Sequence, residues 1–283
     1  MATDTPRAAK PRSRPVKPPA RSPSIRRTRA VAPPAGKSGD VGTGSAAAAK
    51  IVRSLARLGT AQAAALATRF FKTGAGEYAA ADKFLGVRRP ALRQFASTIS
   101  DAGLDVALPL LKSGWHEARA LALLLMVRAF EKGNPRLREA IYRAYLRHTK
   151  FINNWDLVDL SAAPIVGAWL SDKPAQRESV LTRLAKSTLI WERRIAILAT
   201  YDSIRRGDAT ETLRLARVLL KDEEDLIQKA VGWMLREVGQ RISHQIEERF
   251  LKEVYQEMPR TMLRYAIERF PEAKRKRYLR GLA

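Results

Sequence analysis

From Ser45 onward, apolar residues recur every three or four positions, as at Ile51, Leu55 and Leu58 and again at Leu121, Leu124 and Leu125. That period matches an α-helix laying one face on a core. Strongly alternating strand patterns are absent. Gly, Pro and Asn breaks at Lys72–Gly76, Gly86, Gly133-Asn134-Pro135, Lys173-Pro174, Gly207-Asp208 and Met258-Pro259 separate the helical runs. The pattern predicts an all-α protein.

A slower rhythm lies over the helical one. Trp115, Trp155, Trp191 and Ile227 each open a helical run, at spacings of 40, 36 and 36 residues. A helix pair per repeat of that length predicts an α-solenoid of HEAT-like helical repeats with a concave basic groove. With the repeats in register, Arg119, Asp159, Arg194 and Lys229 or Gln228 would project into that groove. An aspartate among such cations is unexpected for simple DNA binding, because its carboxylate repels phosphate.

The stretch Phe151–Asp159 holds the densest chemistry. Asn153 or Asn154 suits a helix N-cap, since a short side-chain oxygen accepts from an unpaired backbone N–H. A helix starting there sets Trp155 and Asp159 at i and i+4 on one face. Two readings follow: a core tryptophan beside a carboxylate favoured by the helix dipole, or a π surface and a carboxylate offered to a cationic substrate. Trp233 lies four residues from Lys229 and three from Arg236, so these share a face as well. Arg193 and Arg194 fall in the first turn of their helix, where the dipole disfavours cations, and this points to an external anion. Trp115, Trp169 and Trp191 are expected mainly in the core, and many of the arginines on solvated faces.

Charge changes the picture most. Lys and Arg number 52 against 28 Asp and Glu, a formal net charge of +24. Residues 1–45 carry ten Lys/Arg against two acids, eight prolines and no aromatic residue, leaving +16 for residues 46–283. The first segment is expected to be a disordered basic arm and the second a single folded domain that is basic in its own right, fit for a polyanion. Gly36-Lys37-Ser38 resembles the end of a phosphate-binding loop, but Val31 stands where its first glycine is required and no strand precedes it. Without cysteine, thiolate zinc sites, disulfides and cysteine nucleophiles are excluded. His116, His148 and His244 lack metal-ligand spacing and read as surface or satisfied structural histidines. No run approaches the ~20 apolar residues of a membrane span. A cytoplasmic protein without metal, cofactor or membrane partner is expected.

Six segments taken together resemble the AlkD-type DNA alkylation repair family, HEAT-like alkylpurine DNA glycosylases. They are Arg69–Tyr78, Phe84–Arg88, Asn153–Asp159, Trp191–Ala196, Ile227–Glu237 and Met258–Ala266, spread over roughly residues 65–275. The resemblance implies a catalytic aspartate at Asp159, a sugar-contacting tryptophan at Trp155, a second flanking tryptophan at Trp233 and a phosphate-contacting arginine at Arg194, with Lys229 and Arg236 joining them on DNA. A tyrosine of the best-known type corresponds to Phe70 or Phe71 here, beside an insertion around Gly74–Asp82. The implied activity is hydrolysis of the N-glycosidic bond of cationic N3- or N7-alkylated purines in duplex DNA by a monomer. The rival readings are a non-catalytic solenoid on damaged or branched DNA and a protein-interaction scaffold.

Overall fold

The computed structural model describes residues 41–80, 82–99 and 102–283. Most of the basic N-terminal segment, with Gly36-Lys37-Ser38, lies outside the described residues. The chain starts with α1 (Val41–Ala56), which takes in residues 41–45, and α2 (Ala61–Phe70). A strap over residues 71–80 and 82–88 leads to α3 (Arg89–Thr98), α4 (Leu104–Leu111), α5 (His116–Lys132) and α6 (Pro135–Arg147). Next come α7 (Trp155–Ser161), a π-helical turn at Ala162–Gly167, α8 (Ala168–Leu170) and α9 (Pro174–Ala185). The chain continues through α10 (Ile190–Ala199), α11 (Tyr201–Arg205), α12 (Thr210–Val218) and α13 (Asp225–Arg241). It closes with α14 (His244–Val254), α15 (Arg260–Ala266) and α16 (Glu272–Leu279). Among the described residues there is no strand, only an isolated bridge between Lys83 and Trp115.

Local chemistry sets the helix ends where the sequence breaks fall. Asn134 caps α6 by accepting from the Leu137 N–H at 3.0 Å, with Pro135 at the first helical position, where its missing N–H costs nothing. Ser243 caps α14 and Thr60 caps α2 in the same way. Each of the six expected breaks lies outside the helices or, at Pro135 and Pro174, on the first residue of one.

The helices stack as an α-solenoid. Neighbours in one layer are α5, α7, α10, α13 and α15, each packed on the next, while α6, α9, α12 and α14 pack behind them. α13 shows why: Ile227, Ala230, Val231, Met234, Leu235 and Val238 recur at helical spacing and are all fully buried. Burying each larger side chain contributes roughly 1.5–3 kcal/mol. α13 also meets α15 closely, because Gly232 has no side chain. A Cβ there would come within 2.4 Å of the Met262 carbonyl oxygen and 2.6 Å of the Tyr265 Cβ.

The repeat frame differs from the one the tryptophans mark. α7, α10, α13 and α15 begin at residues 155, 190, 225 and 260, a step of 35. In that frame Asp159, Arg194, Lys229 and Arg264 each occupy the fifth helical position. Trp155 is first in its helix, Trp191 second and Ile227 third, so the large apolar residues drift around the helices while the charged ones stay in line. Arg119 is the fourth residue of α5 and belongs to a different face. It is 4% exposed, bonded to Asp82 at 2.6 Å and to the Ser113 carbonyl at 3.0 Å.

Candidate functional site

Asn154 begins the site. Its backbone is extended (φ −149°, ψ 153°) and its Oδ1 accepts from the Trp155 N–H at 2.8 Å, so α7 starts at Trp155 as the sequence predicts. Its Nδ2 donates to Asp82, as does that of the adjacent Asn153, at 3.1 and 3.2 Å. With α7 started there, Trp155 and Asp159 share a face and line one cavity of about 560 Å3. Phe70, Lys72 and Tyr78 line it from the strap side; Ile190 and Arg194 from α10; Glu224, Asp225, Leu226, Lys229 and Trp233 from α13 and its approach; and Tyr265 from α15.

Trp155 is half-buried and fixed from three sides. Its indole N–H donates to the Tyr78 hydroxyl at 3.2 Å, while Phe71 packs on it at 5.5 Å and Phe70 meets it edge-on at 5.8 Å. Across the cavity the Trp233 indole N–H donates to Glu237 at 3.0 Å. Trp191 is 4% exposed and belongs to the core, as expected. Trp169 stacks on Tyr142 with the Lys173 ammonium 3.9 Å from its ring. Trp115 departs from the expectation: as the residue before α5 it stays 37% exposed.

Asp159 is gripped by Arg194 at both oxygens, Nε to Oδ1 at 2.8 Å and Nη2 to Oδ2 at 2.9 Å. The remaining Arg194 nitrogen, Nη1, donates to the Leu226 carbonyl at 2.5 Å. Arg194 is only 5% exposed, so the external anion expected for it is replaced by the aspartate one repeat earlier. Arg193 likewise finds internal partners, the Asp222 carboxylate at 2.8 Å and the carbonyls of Ser187 and Thr188. Burial raises the Asp159 pKa; the Arg194 charge and hydrogen bonds pull it back without cancelling the effect, and nearby Asp156 adds to the rise.

The charges that line this cavity are balanced, and Asp159 is not its lone carboxylate. Lys72, Arg194 and Lys229 face Asp159, Glu224 and Asp225, three charges of each sign. Lys229 forms an exposed i,i+4 pair with Asp225 at 2.6 Å, worth little and easily exchanged. Two residues expected here are elsewhere. Arg236 pairs with Glu268, in the turn just after α15, and Gln228 donates to the Asp222 carbonyl.

Sequence reasoning missed what lies beneath the cavity. His116, 3% exposed, places its two ring nitrogens on Asp82 and Asp156 at 3.1 and 3.0 Å, and its ring packs beside the stacked pair Phe71 and Phe84. Burial alone would lower its pKa, but the two carboxylates outweigh that and raise it. Arg119 completes Asp82, whose pKa falls because the histidine, arginine and asparagine donors outweigh burial. Arg89 joins His116 on Oδ2 of Asp156 at 3.0 Å, leaving the buried Oδ1 without a partner among the described residues. Glu117 accepts from three successive N–H groups, those of Leu85, Gly86 and Val87. The strap is thereby tied to the starts of α5 and α7. His116 is the satisfied structural histidine the sequence predicts. Its partners lie 34 and 40 residues away, beyond any local pattern.

The fold agrees with what comparison shows. The family model described as DNA alkylation repair enzyme matches residues 51–270, and the chain belongs to that family. Among solved structures, one described as a predicted DNA alkylation repair enzyme from Enterococcus faecalis has the same fold. Its TM-score is 0.58 at 16% identity, over 76% of this chain and 97% of that one. No curated protein sequence matches. Among the described residues no helix is long and apolar enough to cross a membrane, and no group of three or more His, Cys, Asp or Glu is arranged to hold a metal ion.

Proposed function

We propose that this DNA alkylation repair protein is a glycosylase that hydrolyses the N-glycosidic bond of cationic N3- or N7-alkylated purines in duplex DNA. One observation carries the reading: a carboxylate, Asp159, lines an open cavity together with two tryptophans, Trp155 and Trp233. Alkylation at N3 or N7 makes the purine a cationic leaving group, and its departure builds positive charge on the sugar at C1′. A carboxylate beside C1′ stabilises that charge and orients the attacking water, as in glycoside hydrolysis. The faces of Trp155 and Trp233 suit a flat or cationic group, an attraction worth roughly 1–2 kcal/mol when desolvated.

Arg194 takes a different part from the phosphate contact first expected. Its two bonds hold Asp159 in orientation, and its buried position leaves phosphate binding to the more exposed Lys72, Lys229 and Arg264. Because the cavity opens broadly around the sugar-binding faces, a bulky alkyl group need not enter a tight base pocket.

The rival reading, a DNA-binding protein without catalysis, has one observation in its favour: both Asp159 oxygens are occupied by Arg194. Base release from methylated duplex DNA decides between them. The protein is expected to release N3- or N7-methylpurine and Asp159→Asn to release none while still binding DNA. Equal release by both would remove Asp159 from the mechanism. No release by either, with salt-sensitive binding retained, would favour the non-catalytic reading.

A further inference from the structure

The polar atoms of the cavity's aromatic side chains are unequally committed. Phe70 has none. The Trp155 indole N–H is spent on Tyr78, and that of Trp233 on Glu237. In the first of these bonds the Tyr78 oxygen accepts, so the phenol keeps a proton of its own to donate. Among the described residues no acceptor meets it.

The position of Tyr78 is set from both sides. Its neighbour Ala79 is 1% exposed, and the Ala79 N–H reaches the Lys72 carbonyl at 3.4 Å. On the other side Glu77 folds back to accept from the Gly74 N–H at 2.8 Å, closing the turn. The Tyr78 ring stands edge-on to buried Trp191, centroids 5.9 Å apart. A phenol held this way, with its oxygen at the Trp155 indole and its ring against the core, has few directions left for its O–H, and it lines the cavity that holds Asp159.

We propose that Tyr78 is a substrate-contacting residue, donating its O–H to a backbone oxygen of the lesion-bearing strand while its oxygen fixes the orientation of the Trp155 indole. Burial raises the phenol pKa, so the proton stays in place throughout the neutral range. The proposal rests on the glycosylase reading for its substrate, but the hydrogen bond to Trp155 can be tested without catalysis. It gives the strap between α2 and α3 a chemical part in the site: the insertion around Gly74–Asp82 carries a hydroxyl into a cavity whose wall residue Phe70 lacks one.

Tyr78→Phe removes the hydroxyl and keeps the ring. Two measurements on the full chain test it. The Trp155 indole N–H resonance, assigned by its disappearance in Trp155→Phe, is expected to move in Tyr78→Phe, with the other four indole resonances in place. Single-turnover release of methylpurine is expected to slow about tenfold, with binding to unmethylated duplex unchanged. An unmoved Trp155 resonance would overturn the proposal, as would a moved resonance with unaltered release. Should the unmutated protein release no base, the glycosylase reading fails by itself, and affinity for a duplex with a tetrahydrofuran abasic site then decides. Weaker binding of that duplex by Tyr78→Phe supports the contact, and equal binding overturns it.

Discussion

At Asp159 two influences oppose each other: burial favours the protonated acid, and Arg194 favours the carboxylate. Burial wins, so the pKa lies above the ordinary carboxylate value of about 4. The sign for catalysis follows directly. Only the ionised form stabilises a sugar cation, so base release should fall as pH drops through this raised pKa. The acid limb of single-turnover release is expected at higher pH than an exposed aspartate would give, and a limb at or below pH 4 would contradict the role. At this scale the sequence was informative where chemistry is local. Trp155 and Asp159 are one helical turn apart, and the Asn154 cap that phases them is their immediate neighbour. It was silent on the pairing of Arg194 with Asp159, because partners 35 residues apart in sequence meet only when repeats stack. The anion expected outside the protein for Arg194 is met within it for that reason: the preceding repeat supplies Asp159. Tyr78, in an irregular strap, has no periodic neighbour to mark it.

At the scale of elements, the site depends on how closely α13 and α15 approach. Gly232 permits that contact, which sets Tyr265 of α15 against the cavity beside Lys229 and Trp233 of α13. Gly232→Ala would place a methyl group against backbone and against the Tyr265 Cβ, and these cannot give way as a flexible side-chain end does. The expected cost is about 2 kcal/mol in chemical denaturation, typical of overpacking, with slower base release as α15 shifts. Wild-type stability in the variant would show that the interface relaxes without penalty. The helices themselves were legible because Gly, Pro and Asn punctuation coincides with their ends. The register of the repeats was not. Tryptophans mark packing depth, which varies from repeat to repeat, and the helix starts had to be seen before Arg119 separated from Asp159, Arg194 and Lys229.

For the whole molecule, the excess of Lys and Arg argued for a polyanionic partner, yet the cavity itself is balanced in charge. On the proposed reading, the favourable field for DNA would therefore come from outside the cavity lining as well as from Lys72 and Lys229. If Lys72, Lys229 and Arg264 each neutralise one phosphate, they contribute about three to the slope of log Kd against log salt concentration, and Lys229→Gln should reduce the measured slope by about one. An unchanged slope in titrations of duplex DNA would remove Lys229 from the interface. The 35-residue step carries one more consequence. Along α7, α10, α13 and α15 the fifth positions read aspartate, arginine, lysine, arginine, so the single anion stands at one end of a row of cations rather than at its centre. Duplex DNA bound as proposed, with the lesion at Asp159, would then lie chiefly to one side of that lesion. The complex would have a direction, set by 5′-to-3′ polarity, and the protein would cover unequal lengths of duplex before and after the damaged nucleotide.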